Sequence, residues 1–486
     1  EGNLNSFIDL NEIKINNIEY FKNSKFLFKN KINLKGEMLH SFNISLSETL
    51  EVLNYKYNAK GKNLYLEYVF NKKIKSNFFE NDLKKLISKK MNVEFNLNKK
   101  ERQFLVEGEY STNNSEFKKY KIINTNDKDS EFDIDLDLSE KIFIKFLNFK
   151  NNQKKKSNIK TKFYFKKNSI FFKTFKFSEE NSLIEINNLE VSNKIQLKKL
   201  KNIKVKTYYG GNLNNDFNIK FGKKIIIQGK TYDATFLLEQ LGQDTKTNLL
   251  NQISRKIEIK LKTIKTKSLI PLNDFNLLGV IERGEFAKIS SKSEFSQNKF
   301  MDITLKKDEN NNKLLEVYSD LPKALLADYK IFDGINEGKL LFNSVIGKNI
   351  TISKLTIENF KVLKAPAFAT LLTLADLGGI ADLLSGEGMS FDSLEIDLEE
   401  DKSTTTIKEI LALGPSVSMH MEGYLEKKTG LVSLKGTLVP AKTLNNLISK
   451  IPVVGNILVG EQAGEGVFGV SFKVKGLPGK TKTKVN

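Results

Sequence analysis

The chain has 486 residues, 40% hydrophobic and 28% charged, a balance that excludes a disordered chain and a length that suggests about three domains. Its formal charge of +20 rests on 78 Lys and Arg against 58 Asp and Glu, but only Arg102, Arg255 and Arg283 are arginines. Phosphate and base recognition favours the planar Arg fork, so the Lys and Asn of "NNQKKKSN" and "DENNNK" read as AT-biased coding rather than as a nucleic-acid surface.

Cys is absent, which excludes disulfides, thiolate metal sites and Cys nucleophiles. Only four of the 29 glycines precede residue 200, and all seven prolines lie beyond residue 270. Two regions are therefore expected, 1–200 and 201–486, running as one continuous sheet. The start at Glu1-Gly2 and the stop at Val485-Asn486 predict a piece of a longer chain.

In chain order, the first strong pattern is "FDIDLDL", which puts Phe132, Ile134, Leu136 and Leu138 on one face of a strand. Asp133, Asp135 and Asp137 take the other face; they lack the Gly and distal Glu of an EF-type calcium loop, so a solvated strand face is expected. "KFYFKKNSIFFKTFKF" predicts two strands, the first carrying Phe163 and Phe165, joined at Lys167-Asn168-Ser169. "GKT" at Gly229 and Gly479 lacks the Gly five places earlier that a P-loop needs, since Lys224 and Val474 stand there. "DATFLLEQL" predicts a short helix with Asp233 as its N-cap. Residues 365–384 are apolar, but Asp376 and Asp382 at about 2.5–3.5 kcal/mol each argue against a membrane span. A helical segment broken at Gly378-Gly379 is expected over 366–385.

"SLEIDLEEDKSTTTIKEI" aligns Leu394, Ile396 and Leu398, and "SVSMHMEGYLEKKTGLVSLKGTLV" is a hairpin turning at Lys428-Thr429-Gly430, with Val417, Met419 and Met421 on one face. His420 faces water beside Ser418 and Glu422; with His40 it makes up all the histidine of the chain, too little for a His-based metal cluster or triad. "AKTLNNLISKIP" predicts a helix over 441–451, with Leu444, Leu447, Ile448 and Ile451 at i, i+3, i+4 and i+7. Finally "GEGVFGV" at 464–470 fits G-x-G-x-x-G, but "VSFKVKG" behind it reads as a strand, whereas a dinucleotide fingerprint opens a helix. No nucleotide, cofactor, metal or catalytic constellation is expected, and the chain does not read as an enzyme.

The class is thus mainly β, with one-sided strands and a few short amphipathic helices near the C-terminus. Such a sheet can close into tandem β-sandwiches or a barrel, pack on helices, or curl into a trough holding an apolar ligand.

Residues 322–486 resemble the AsmA-like superfamily, in particular its YhdP-type C-terminal region. The likeness is carried by "LPKALLADYKIFDGINEGKLLF", "IENFKVLKAPAFATLLTLADLGGIADLLSGEGMSFDSL", "LGPSVSMHMEG" and the terminal "LKGTLVPAKTLNNLISKIPVVGNILVGEQAGEGVFGVSFKVKG". The resemblance implies a long curled antiparallel sheet forming an open apolar groove, anchored in an inner membrane by a segment outside this chain. It implies a periplasmic, non-enzymatic carrier of phospholipid between inner and outer membranes of a Gram-negative envelope. Acyl chains, both membrane surfaces and envelope proteins would be its partners, and nucleic acid would not. A scaffold or assembly factor for outer-membrane proteins, and more remotely a basic nucleic-acid binder, are the alternatives.

On this reading the groove is lined by Phe132, Ile134, Leu136, Leu138, Phe163 and Phe165, and further along by Leu394, Ile396, Leu398, Val417, Met419 and Met421. Membrane contact or gating falls to Leu371, Leu372, Leu374, Leu377, Leu383 and Leu384 in one helix. Leu444, Leu447, Ile448, Ile451, Val454 and Ile457 would serve likewise in and after the other. Turns are assigned to Gly334, Gly338, Gly386, Gly388, Gly414, Pro415 and Gly436, then to Pro440, Pro452, Gly455, Gly464, Gly466 and Gly469.

Overall fold

The computed structural model describes residues 2–14, 31–74, 81–237, 253–328, 334–363, 372–373, 388–440 and 469–485, apart from interruptions at 99, 101, 127–129, 139, 153, 194–195, 268–269, 296–297 and 478–479. The protein is mainly β, with 76% of the described residues in strands and 3% in helices. Two compact units are present, Glu1–Ile253 and Ser254–Asn486. The change of composition near residue 200 falls inside the first unit, where strand pairing continues across it.

The first unit contains β1 Gly2–Lys14, β2 Lys31–Leu46, β3 Val52–Ile74, β4 Leu83–Asn98, β5 Arg102–Thr112, β6 Lys118–Asn126 and β7 Ser130–Asp137. A small hairpin comes next, β8 Phe143–Ile144 and β9 Phe149–Lys150, closed by a 3-10 turn at Lys145–Leu147. Then come β10 Ser157–Lys166, β11 Ser169–Glu179, β12 Ser182–Ser192, β13 Leu197–Lys199, β14 Asn202–Tyr209, β15 Asn212–Phe221 and β16 Lys224–Asp233. The second unit contains β17 Arg255–Lys265, β18 Leu272–Glu282, β19 Glu285–Phe295, β20 Lys299–Lys307 and β21 Lys313–Ser319. Beyond helix α1, Pro322–Asp328, lie β22 Ile335–Ile346, β23 Thr351–Val362, β24 Met389–Glu400, β25 Thr404–Leu413, β26 Val417–Glu426, β27 Val432–Pro440, β28 Val470–Gly476 and β29 Lys482–Val485.

Within each unit every described pairing is antiparallel and joins strands close along the chain, with β7 passing over the small hairpin to β10 and β12 pairing with β14 as well as with β13. No described pairing joins β1 to β16 or β17 to β29, so neither unit closes into a barrel. The strands predicted within 132–138, 162–177, 393–410 and 416–439 form as the period-two pattern requires, and both predicted turns stand where expected. Asp233 accepts hydrogen bonds from the backbone N–H and hydroxyl of Thr235 at 3.1 and 2.6 Å, the geometry of an N-cap; of the helix expected over 233–241, residues 238–241 lie outside the described residues. So do the helix expected over 441–451 and all but residues 372–373 of the helix expected over 366–385.

The long connections are sorted by edge. In the first unit β2–β3, β4–β5, β6–β7, β10–β11 and β15–β16 turn tightly on one edge, while the long connections 14–31 and 137–157 leave the other. The second unit repeats this, with tight turns from β22 to β23, β24 to β25, β26 to β27 and β28 to β29 opposite the long links 319–335, 362–389 and 440–470.

Candidate functional site

An antiparallel sheet sends alternate side chains to opposite faces, so the register decides which residues form a common surface. In the first unit one cross-strand row reads Gly61, Val93, Val106, Ile122, Ile134, then Thr161, Phe175, Ile186, Ile203, Ile219 and Ile227. In the second a row runs from Ile259 through Leu277, Ser291, Ile303, Val317 and Phe342, then Leu355, Ile396, Ile410, Met421, Gly436 and Phe472 to Val485. Each unit therefore carries a near-continuous apolar band perpendicular to its strands.

The groove candidates all fall on these faces. Phe132, Ile134 and Leu136 share the β7 face, Leu138 lies buried just beyond its end, and Phe132 stands opposite Phe163. The Phe132 and Phe163 rings stack with centroids 5.2 Å apart; Phe165, 57% exposed, meets both edge-on at 5.7 and 5.6 Å. Leu394, Ile396 and Leu398 pair with Ala412, Ile410 and Ile407, which pair in turn with Met419, Met421 and Gly423. Val417 is fully buried at the end of that face.

Burial across the bands is graded. At the edge of the long connections Phe177, Ile184, Val205 and Phe217 are buried, as are Leu340, Ile357, Ala412 and Leu438 in the second unit. In the adjoining row Phe175, Ile186, Ile203 and Ile219, and likewise Phe342, Leu355, Ile396 and Ile410, are only half-buried.

Two caps make this gradient. In the first unit the β8–β9 hairpin sits over the sheet, Phe149 fully buried with its ring 5.6 Å from that of Phe177. Its main-chain carbonyls are held from below: Asn215 Nδ2 donates to Leu147 O at 2.7 Å, Asn214 Nδ2 to Asn148 O at 2.9 Å, and Tyr232 OH to Phe146 O at 3.0 Å. Asn148 Nδ2 donates to Asp233 Oδ2 at 2.9 Å, and burial pushes the Tyr232 hydroxyl well above the usual range, so it stays a donor. Sequence reasoning missed this cap, in which the Asn148 backbone is left-handed at φ 43° and the amides of Asn214 and Asn215 are buried. In the second unit Leu326 of α1 and Leu372 pack on Ile335, Val362, Met389 and Phe391. Of the gate candidates only Leu372 is described, and it is fully buried there; Leu371, Leu374, Leu377, Leu383, Leu384, Leu444, Leu447, Ile448, Ile451, Val454 and Ile457 lie outside the described residues.

The turn residues divide. Gly334 accepts from Leu363 N–H at 2.7 Å, Gly388 (φ +87°) leads into β24, Gly414 and Pro415 link β25 to β26, Pro440 ends β27 and Gly469 precedes β28. Gly338 and Gly436 are not in turns but inside β22 and β27. Gly338 (φ +92°) comes directly after Glu337 at φ 61° in an irregular pairing with β23, where Asn359 is also left-handed. Gly436 makes room for Phe472. Gly386, Pro452, Gly455, Gly464 and Gly466 lie outside the described residues, and the chain after Gly469 forms the strand β28 rather than a helix.

The opposite faces are polar and paired. Lys160 meets Asp135 and Lys162 meets Asp133 at 2.9 Å; Lys354 meets Glu395 at 2.6 Å and Lys408 meets Glu399 at 2.9 Å. His420 Nε2 lies 3.3 Å from Glu409. Among the described residues no group of His, Asp and Glu could hold a metal ion, and no helix is long and apolar enough to cross a membrane. No protein-family model matches the chain, and no curated protein matches it.

Proposed function

We propose that the half-buried apolar bands are a track for the acyl chains of phospholipid, in a periplasmic carrier that moves lipid between two membranes without enzymatic chemistry. The observation that carries this reading is the graded burial: a stretch of each band, Phe175 to Ile219 in the first unit and Phe342 to Ile410 in the second, stays partly accessible beside a more deeply buried row, although Val106, Leu277 and Phe472 of the same bands are buried. At about 4.8 Å per strand, the second unit's band runs for about 60 Å. Each methylene that leaves water on such a surface gains about 0.8 kcal/mol, so a two-chain lipid has ample reason to lie there while its head stays wet. The register shifts between Lys162 and Phe163 in β10, Thr207 and Tyr208 in β14 and Val280 and Ile281 in β18 support curvature, because an extra residue bends its strand and increases local twist. The sequence resemblance to AsmA-like proteins points the same way, towards an open groove and an envelope location.

The test is uptake of a fluorescent phospholipid by the delipidated chain, together with native mass spectrometry of the purified protein. Bound phospholipid and saturable uptake are expected. A folded chain that takes up none overturns the track and leaves the scaffold for outer-membrane proteins as the better reading.

A further inference from the structure

Across most of the second unit's polar face a cation stands near a carboxylate: Lys354 with Glu395, Lys408 with Glu399, and Lys435 with Glu422 at 2.7 Å. The last two strands break this rule. After Glu465 the sequence has five lysines, at 473, 475, 480, 482 and 484, and no acidic residue. The register sets these charges against each other, Lys473 between Lys435 and Lys484, and Lys475 opposite Lys482. All five are exposed and none has an ion pair among the described residues. Like charges directly opposite on neighbouring strands destabilise a sheet.

Edge protection explains only part of this. Lysines on a strand with an open flank discourage pairing with other chains, which accounts for Lys482 and Lys484 on β29. It does not account for Lys473 and Lys475, because β28 is hydrogen-bonded on both sides. Beside them Leu477, just beyond the end of β28, is 47% exposed.

We propose that β28, β29 and the adjoining Leu477 form a docking surface for a phospholipid bilayer bearing anionic headgroups. Diffuse negative potential is met by compact ammonium charges with no fixed geometry, whereas a nucleic-acid site calls for Arg forks and stacking rings. The patch has no Arg and no exposed aromatic; its apolar member, Leu477, is an exposed aliphatic side chain just beyond the end of β28. The proposal deepens the lipid-track reading by naming the surface chemistry at one edge of the sheet; it rests on that reading for its biological sense, though not for its electrostatics.

Co-flotation of the full chain with phosphatidylglycerol-containing vesicles, with pure phosphatidylcholine vesicles and with competing duplex DNA tests it. Binding to the anionic vesicles alone is expected, falling steeply with added salt. The variant K473Q/K475Q/K482Q/K484Q is expected to bind at least about tenfold more weakly, and the matching Lys→Arg variant, which keeps the charge, to bind as the parent does. Circular dichroism confirms that both variants fold. Unchanged vesicle binding by the Gln variant, or displacement by DNA at equal charge, overturns the proposal. The two readings separate because the Gln variant keeps fluorescent-lipid uptake if the track stands, while loss of uptake by the parent chain leaves flotation unaffected.

Discussion

Gly436 has no side chain because there is no space for one: a Cβ would lie 2.4 Å from His420 O and 2.8 Å from the Phe472 ring. Gly436→Val is therefore expected to destabilise the second unit by about 2–4 kcal/mol, as overpacking a strand core does, and urea denaturation reads it. The apolar face offers a second contrast at this scale. Ile134 is half-buried in the accessible row, whereas Phe177, two strands away, is 4% exposed beneath the cap. Ile134→Asp is expected to cut lipid uptake while the chain stays folded; Phe177→Asp is expected to unfold the cap region, because a carboxylate there has neither water nor a partner. Equal loss of ellipticity in both variants would show that the row is a sealed core.

The β8–β9 hairpin depends on amide side chains lent by other strands. Asn215 spans three groups, donating to Leu147 O and Thr207 Oγ1 and accepting from Asp233 N–H. Asn215→Ala leaves buried polar groups without partners, so a loss of about 2–3 kcal/mol is expected, with amide hydrogen exchange rising first in residues 143–150. Elements of this kind set the limit of what the sequence discloses. Strands such as 132–138 and 394–400 are legible because their alternation is local and their turns are marked by Asn, Gly or charged clusters. The cap is illegible because its stability comes from Asn214, Asn215 and Tyr232, more than 60 residues further along. The apolar face of each predicted strand is readable; which part stays accessible is not, since that depends on where the caps fall. The break in charge pairing on β28 and β29 is half legible: the five lysines stand in the sequence, but the register alone sets four of them, Lys473 with Lys484 and Lys475 with Lys482, against one another.

In each unit the polar face works as a set of weak pairs. Partial burial pushes Asp135 up, but hydrogen bonds from Asn158 and Lys160 pull it down further, so it ends below the usual range. Lys166, then Ser169, lower Glu190; Lys313 lowers Glu285, and Lys435 lowers Glu422. A depressed carboxylate contributes stability that is fully present above its unfolded value of about 4 and is lost as pH falls through the folded value. Asp135 and Glu395 raise their partners Lys160 and Lys354, whose contribution is present below about 10 and is lost as pH rises through the folded value. Thermal melts are expected to be flat between about pH 5 and 9 and to fall on both sides, gently, because exposed pairs are individually worth less than about 1 kcal/mol. The connectivity has another consequence. Strands that hydrogen-bond to partners close along the chain need no distant partner before they can form, so each can settle on those already in place as the polypeptide emerges. Pulling the two ends apart should then peel hairpins away in many small force steps instead of one cooperative rupture, as in other arrays bound by nearest neighbours. Inserting or deleting one hairpin would lengthen or shorten the sheet by about 10 Å and leave the rest in register.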